Sequence, residues 1–146
     1  MSEIRLLIAD DSAVIRKALC DLLLVYQGKW RVCGEACDGQ DALVKVGELN
    51  PDVLLLDLSI PVLRGAEVAK KLKISAPLLR IILMSEQERA AMELLAKELQ
   101  LRHAIPKARL MLDLVPQLSE VCGEIQKERN AAGRGIFPRK TKELTA

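Results

Sequence analysis

The side chains best suited to chemistry in this sequence are three aspartates that follow apolar runs. Asp10 and Asp11 come directly after the run at 4–9, and Asp57 ends the run at 52–57. Carboxylates held close together repel one another by about 1 kcal/mol or more per pair at an intermediate effective dielectric, so such a group needs a cation. Oxygen ligands with room for water favour Mg²⁺. A carboxylate nucleophile beside Mg²⁺ is suited to receiving a phosphoryl group.

Ser85 and Lys107 could complete this site. Ser85 follows the apolar run at 80–84, and Lys107 follows a short strand predicted near 103–105. A hydroxyl and an ammonium group can hold the remaining oxygens of a phosphoryl group. Each residue alone has a simpler interpretation, because an aspartate before a helix is often its N-cap and a serine or lysine after a strand is common. The combination favours the metal and phosphoacceptor interpretation.

The positions of these residues follow from a regular alternation of elements. Strands are predicted at residues 4–9, 31–36, 52–57, 80–84 and about 103–105, with a helical pattern after each one. Parallel strands need crossover connections, and helical crossovers cover both faces of the sheet. The sequence therefore predicts an α/β fold with a doubly wound, five-stranded parallel sheet. In such sheets ligands bind outside the carboxyl ends of the strands, where all five polar residues fall.

Apolar residues at helical spacing predict the buried face of each helix. The predicted buried positions are Val14, Ala18, Leu22 and Val25 in the first helix, Ala42, Leu43, Val46 and Leu49 in the second, Val68 and Leu72 in the third, and Leu114, Leu118, Val121, Cys122 and Ile125 in the last. A further helix is predicted near 87–100.

Local signals predict where several helices begin and end. The first helix is expected to start at an N-cap formed by Asp11 or Ser12. The second should stop before Pro51, which disfavours the helical conformation of the preceding residue. Asp113 is the expected N-cap of the last helix, which would place Pro116 in the first turn, where no intrahelical hydrogen bond is lost.

Composition narrows the possible classes of protein. The chain has 146 residues, 50% of them hydrophobic and only 2% aromatic, which indicates one compact domain and argues against a stacking surface for single-stranded nucleic acid. Residues 127–146 hold six basic and two acidic side chains; since the total net charge is +2, residues 1–126 carry −2 and offer no basic surface for nucleic acid.

Cysteine and histidine usage does not indicate a metal site of the zinc-finger kind. The four cysteines form no CxxC pair and are expected to be reduced thiols packed as small core residues. His103, the only histidine, is expected at the surface or in a loop, neither a ligand nor a phosphorelay histidine. With no signal peptide or membrane-length apolar run, the protein is expected in the cytoplasm without a membrane partner.

Five motifs in order resemble the receiver domains of two-component response regulators. They are "IADDSAVIR", "GEACDGQDAL", "PDVLLLDLSIPVLRG" with Asp57 and Pro61 as in D-x-x-[MI]-P-x-x-x-G, Ser85 after a strand, and Lys107 in "IPK". The resemblance covers about residues 3–126. The pattern "V-x-GEAxDGxxAL" is also similar to that of response regulators whose output domain is a LuxR-type helix-turn-helix.

The resemblance implies a flavodoxin-like fold with strand order 2-1-3-4-5 and a role for each site residue. Asp57 would take a phosphoryl group from a sensor histidine kinase and form a mixed anhydride. Asp10, Asp11, Asp57 and the backbone carbonyl of Ser59 would hold Mg²⁺. Lys107 would pair with the phosphoryl oxygens. The Ser85 hydroxyl would move toward the phosphate and report it.

The resemblance also implies that the domain is not an enzyme beyond its own phosphorylation and dephosphorylation. A homodimer is a further partner that the resemblance to receiver domains implies as possible.

Three departures from the receiver pattern concern the coupling of phosphorylation to output. Ala104 occupies the position of an aromatic residue that turns inward on activation, Glu86 follows Ser85 where a small residue is usual, and Pro106 precedes Lys107. We therefore expect the chemistry to be kept and its coupling to be unusual. The alternative is a receiver fold that acts as an interaction module without phosphate.

The end of the chain differs in composition from the body. Residues 1–128 are predicted to form the receiver domain and 129–146 a basic linker or tail. The final "LTA" is similar to the opening of a LuxR-type output domain, so DNA would be contacted only through a C-terminal domain outside this chain. A stand-alone receiver with a loose tail is the alternative.

Overall fold

The computed structural model describes residues 3–26 and 29–133. Strands and helices alternate along the chain. The strands are β1 (Ile4–Ala9), β2 (Trp30–Ala36), β3 (Val53–Asp57), β4 (Arg80–Ser85) and β5 (His103–Pro106), and the helices are α1 (Ala13–Val25), α2 (Gly39–Leu49), α3 (Gly65–Ser75), α4 (Arg89–Glu98) and α5 (Leu110–Gly133).

The five strands form one parallel sheet in the order β2-β1-β3-β4-β5. This confirms the predicted doubly wound α/β fold. The pairing sets Asp57 opposite Met84 and Ser85 opposite Pro106, so the carboxyl ends of β3, β4 and β5 lie side by side. The residues predicted to do chemistry are therefore placed on one edge of the sheet.

Two hydrophobic cores lie on opposite faces of the sheet because neighbouring residues of each strand point in opposite directions. In β1, Leu6 and Ile8 pack with α1 and α5, whereas Leu7 and Ala9 pack with α2, α3 and α4. All strand residues of β3 are buried, as expected for a central strand covered on both sides. The predicted buried faces of α2, α3 and α5 are confirmed.

The predicted buried face of α1 is correct only in part, because Leu22 packs against the core but the fully buried residues come one position later in the helix. Val14 and Val25 are 78% and 74% exposed, and the buried residues are Leu19 and Leu23. The α1 sequence is apolar on more than one side, so periodicity alone does not select the face, and packing against β1 and α5 decides it. The N-cap is Ser12, whose Oγ accepts a hydrogen bond from the Ile15 N–H at 3.2 Å.

The start of α5 also differs from the prediction. A 3₁₀ turn at Lys107–Arg109 leads directly into α5 at Leu110, so Asp113 is inside the helix rather than at its N-cap. Its carboxylate instead pairs with Arg109 at 2.9 Å and Arg89 at 3.1 Å. Pro116 consequently lies beyond the first turn, where it lacks the N–H that would bond within the helix.

His103 is the first residue of β5 and is only 9% exposed, so the expectation of a surface or loop residue is wrong. The β4 neighbour and the adjacent helices cover it, which a short sequence pattern does not reveal. Helix α5 continues to Gly133, past the predicted boundary at 128. The "LTA" segment lies outside the described residues. Within the described part of the chain, no helix is long and apolar enough to cross a membrane.

Candidate functional site

Asp10, Asp57 and Lys107 meet at the carboxyl edge of the sheet. Asp10 is fully buried and Asp57 is 1% exposed. Lys107, after β5, places its Nζ 2.9 Å from Asp10 Oδ2 and 3.4 Å from Asp57 Oδ2. Asp11 is exposed, yet one oxygen from each of the three aspartates lies within 4.8 Å of the others. The predicted convergence of these four side chains is confirmed.

Local hydrogen bonds fix the orientation of Asp10. Its Oδ1 accepts from the Ser12 N–H at 2.9 Å, and its backbone N–H donates to the Ala36 carbonyl at 3.1 Å. The Arg16 guanidinium donates to the Asp10 carbonyl at 2.7 Å. With Oδ1 and the backbone held, Oδ2 faces the lysine ammonium.

Asp57 is held by the loop that follows β3. Its Oδ1 accepts from the Ser59 N–H at 3.2 Å, which leaves Oδ2 beside Lys107. The N-terminus of α3 approaches this loop closely: a Cβ on Gly65 would lie 2.7 Å from the Asp57 carbonyl oxygen. Only glycine permits that approach, so Gly65 sets the path of the chain around Asp57.

The loop also contains a residue in an unusual backbone conformation. Val62 has φ of 72°, in the left-handed region that a β-branched residue rarely adopts, and its side chain is 79% exposed. Such strain persists where surrounding contacts hold the chain, and it is common beside functional sites.

Burial dominates the electrostatics of the aspartate. Removal from water raises the pKa of Asp57; the Ser59 N–H bond opposes this, the Asp10 carboxylate adds to it, and Lys107 opposes it. For Lys107, burial acts to lower the pKa, but contacts with Asp10 and Asp57 outweigh that effect and leave the pKa raised. The lysine is therefore held as a cation between two buried acids.

Ser85 ends β4 beside this group. It is 3% exposed, and its Oγ accepts a hydrogen bond from the Gln87 N–H at 3.1 Å. Ser85, Glu86 and Ser59 line one cavity next to the loop after β3. Of the three departures noted in the sequence, Glu86 is exposed, Ala104 is half-buried and Pro106 is buried.

The donor set fits a hard divalent cation. Three carboxylates face one ammonium, so the site has an excess of negative charge and offers only oxygen ligands. Mg²⁺ prefers such ligands and keeps several waters, which the exposed side of the site at Asp11 would admit.

Residues 6–118 match the response regulator receiver domain family, so the chain belongs to that family. Receiver domains of response regulators are therefore the class of protein to which this chain belongs.

Among curated relatives, the chain is 41% identical over 138 residues to protein-glutamate methylesterase/protein-glutamine glutaminase 5 of Myxococcus xanthus, covering 91% of this chain and 38% of the relative. It is 45% identical over 87 residues to the corresponding enzyme 2 of Methanosarcina acetivorans, covering 60% of this chain and 24% of the relative. The chain thus spans well under half the length of these relatives.

Solved structures that are similar to this chain include receiver domains of response regulators. The response regulator domain of Thermotoga maritima CheB is 31% identical with a TM-score of 0.73, covering 84% of this chain and 98% of that domain. The signal receiver domain of the response regulator NarL from Mycobacterium tuberculosis is 27% identical with a TM-score of 0.74, with the same coverage.

A second polar group was missed by the sequence analysis. His103, Glu120 and Glu124 converge between β5 and α5. Two glutamates four residues apart on one helix were a detectable signal, but nothing in the sequence indicated that the histidine lies against them.

Proposed function

We propose that this domain accepts a phosphoryl group on Asp57 from the phosphohistidine of a sensor histidine kinase. The observation that supports this most directly is the buried carboxylate of Asp57 with Lys107 Nζ 3.4 Å from its Oδ2 and Asp10 within the same acidic group. Phosphoryl transfer needs this arrangement of a carboxylate nucleophile and a cation.

The transfer forms an O–P bond to an Asp57 carboxylate oxygen and breaks the N–P bond of the donor, whose imidazole leaves. The nucleophile must be ionised, and Lys107 favours the ionised form despite burial. The Lys107 ammonium then pairs with a phosphoryl oxygen. The Ser85 hydroxyl donates to another, since its present contact with the Gln87 N–H uses only the oxygen as an acceptor.

Mg²⁺ would be held by Asp10, Asp11, Asp57 and the Ser59 carbonyl, and when bound it supplies positive charge against the three carboxylates and the phosphoryl oxygens. Asp10 is oriented for this by Ser12 and Arg16 before any ion binds. The carboxylates of Asp10 and Asp57 are therefore each oriented by a backbone N–H group.

Phosphorylation would shift a two-state equilibrium that the rest of the protein detects. Ala104 has no ring that could turn inward on activation. The movement of Ser85 would therefore reach the α4–β5–α5 face through the backbone of β4 and β5. Formation of a homodimer is another output that phosphorylation would control. A phosphorylation-independent interaction module is the second candidate, which the absence of this aromatic residue favours.

The output predicted from "LTA" was a LuxR-type helix-turn-helix. The curated relatives described above are methylesterase/glutaminases instead, and one of them aligns with 91% of this chain. We therefore favour a methylesterase-type catalytic output over transcription. The coding sequence around Ala146 would distinguish a helix-turn-helix output, a larger catalytic output and a stand-alone receiver.

The phosphoacceptor proposal is tested by intact mass spectrometry after incubation with Mg²⁺ and a small phosphodonor such as acetyl phosphate. We expect a gain of one phosphoryl group in the native chain and in Asp21→Asn, an exposed acid paired with Lys17 on α1. Asp57→Asn should show none. No gain with any donor, or a gain that persists in Asp57→Asn, would overturn the proposal, and the first outcome would favour the interaction module.

A further inference from the structure

His103, Glu120 and Glu124 form a second group of possible metal ligands. One ring nitrogen of His103 and one carboxylate oxygen of each glutamate all lie within 4.8 Å of one another. The glutamates are four residues apart on α5, so their side chains project from the same face of the helix. His103 begins β5, at the opposite end of that strand from Lys107 and about 13 Å away along the chain direction.

The histidine in this group has an unsatisfied buried nitrogen. His103 is 9% exposed, and its Nε2 is buried with no hydrogen-bond partner among the described residues. Buried side-chain nitrogens almost always have a partner, so an unpaired one requires an explanation. His103 lines one hollow together with Glu120 and another together with Glu124, so both glutamates are neighbours of the histidine.

We propose that His103, Glu120 and Glu124 bind a divalent transition-metal ion, with Zn²⁺ as the best match. Zinc takes imidazole nitrogen and carboxylate oxygen as ligands, and three protein ligands leave a fourth position for water. The imidazole nitrogen distinguishes this ligand set chemically from the carboxylates of Asp10, Asp11 and Asp57. Those three residues offer only oxygen ligands, which suit Mg²⁺.

The geometry requires a small contraction on binding. Bonds of about 2.0–2.2 Å in a tetrahedral site put ligand atoms about 3.4 Å apart, so the three groups must close by at most about 1.5 Å. Glu120 is exposed and free to rotate. Glu124 is paired with Arg102 at 3.2 Å through Oε2, and the Arg102 side chain is 70% exposed, so it can move aside or stay on that oxygen.

A neighbouring amide would support a metal-bound water. Gln117 lies in the same cleft as His103 and Glu120, and its Oε1 is buried without a hydrogen-bond partner in the described part of the chain. A water on the ion could donate to this oxygen, and such outer contacts orient metal ligands. A bound ion would link β5 to α5 through His103 and the two glutamates, beside the cleft that Ala104 also lines.

The test uses the fact that His103 is the only histidine in the chain. Its imidazole ¹H–¹³C resonances therefore report this site alone, without interference from zinc on the cysteines or at the aspartates. The full chain, stripped of metal by chelator and then saturated with Mg²⁺, is titrated with ZnCl₂. We expect zinc to shift the His103 resonances with saturation at one equivalent, and Mg²⁺ to leave them in place.

The variants Glu120→Gln and Glu124→Gln should each weaken zinc binding by tenfold or more, on the scale seen for disrupted metal sites. Glu93→Gln is the matched control, because Glu93 lines the same cleft on α4 but is outside the ligand group. It should bind zinc like the native chain. Glu120 is exposed and Glu124 is half-buried. An unchanged amide spectrum will establish that the variants fold.

Two results would overturn the proposal. The first is a set of imidazole resonances that zinc does not move up to millimolar concentration. The second is an equal zinc affinity in Glu120→Gln, Glu124→Gln and the native chain, which would mean that the imidazole binds alone. Asp57→Asn should keep the zinc response, so failure of the phosphoacceptor proposal is distinguishable from failure of this one.

Discussion

Replacing Asp57 with asparagine should stabilise the folded protein in the absence of Mg²⁺. The Asp57 carboxylate lies within 4.8 Å of the Asp10 ligand oxygen and 3.4 Å from Lys107 Nζ. At an effective dielectric near 20, the first contact costs at least about 3.5 kcal/mol, because 4.8 Å is an upper limit, and the second contributes about 5 kcal/mol of attraction. These two terms nearly cancel, so the burial penalty decides the sign, as it does for the raised pKa of Asp57.

The expected size of the effect follows from that penalty. Burying a charged carboxylate costs several kcal/mol after relaxation, which exceeds the remaining net attraction of at most about 1.5 kcal/mol. Asparagine has the same shape and can still accept the Ser59 N–H bond. We expect Asp57→Asn to raise the free energy of unfolding by about 2 kcal/mol, or Tm by about 8 °C for a domain of this size.

The assay is urea or thermal unfolding in EDTA and again in Mg²⁺, with Asp21→Asn as the control. The pKa of Asp57 is raised in the folded state, so its ionisation destabilises that state as pH rises through the folded value. The difference between the variant and the native chain should therefore be small near pH 4 and full at pH 8. Mg²⁺ should stabilise the native chain and Asp21→Asn but have little effect on Asp57→Asn.

A variant that is no more stable than the native chain in EDTA would refute the reasoning. So would an equal gain at pH 4 and pH 8, because the effect would then not depend on the charge of Asp57.

Three further predictions concern strain, helix geometry and thiol reactivity. Val62→Gly should increase stability to urea by about 1 kcal/mol, because it removes left-handed strain at an exposed side chain at some cost in chain entropy. Pro116→Ala should add about 2 kcal/mol in the same assay by restoring a donor to the Leu112 carbonyl within α5. A thiol reagent at pH 8 should label Cys37, which is exposed, and spare Cys122, whose pKa burial raises to about 11; peptide mapping checks this.

These three predictions have clear contrary results. Loss of stability in Val62→Gly would mean that the conformation is not strained, and no gain in Pro116→Ala would mean that the Leu112 carbonyl already has another partner. Labelling of Cys122 in the native chain at the rate of Cys37 would contradict its burial. Cys37 itself departs from the expectation that every cysteine is a core residue.

The sequence was sufficient to predict the sheet and the edge on which the site lies. Strand and helix patterns specify parallel connections, and parallel connections put Asp10, Asp57, Ser85 and Lys107 at the same ends of their strands. This prediction succeeds because hydrophobic periodicity and crossover geometry are local or nearly local properties of the chain.

Several features could not be predicted because they depend on contacts between distant segments. The buried face of α1 is selected by packing against β1 and α5, and α5 begins early because the turn at Lys107–Arg109 leads straight into it. The left-handed conformation of Val62 and the close approach of α3 at Gly65 were likewise not predicted.

The alternation of strands and helices was enough to predict which side chains reach the carboxyl edge of the sheet, since it requires parallel strands, whereas the order of the strands was implied only by the resemblance to receiver domains. The packed structure was needed to learn that Asp10 is buried while Asp11 is exposed, that Lys107 lies closer to Asp10 than to Asp57, and that His103 lies against two glutamates of α5. Burial and distances of a few ångströms depend on how helices pack across the sheet, and residues far apart in the chain set that packing.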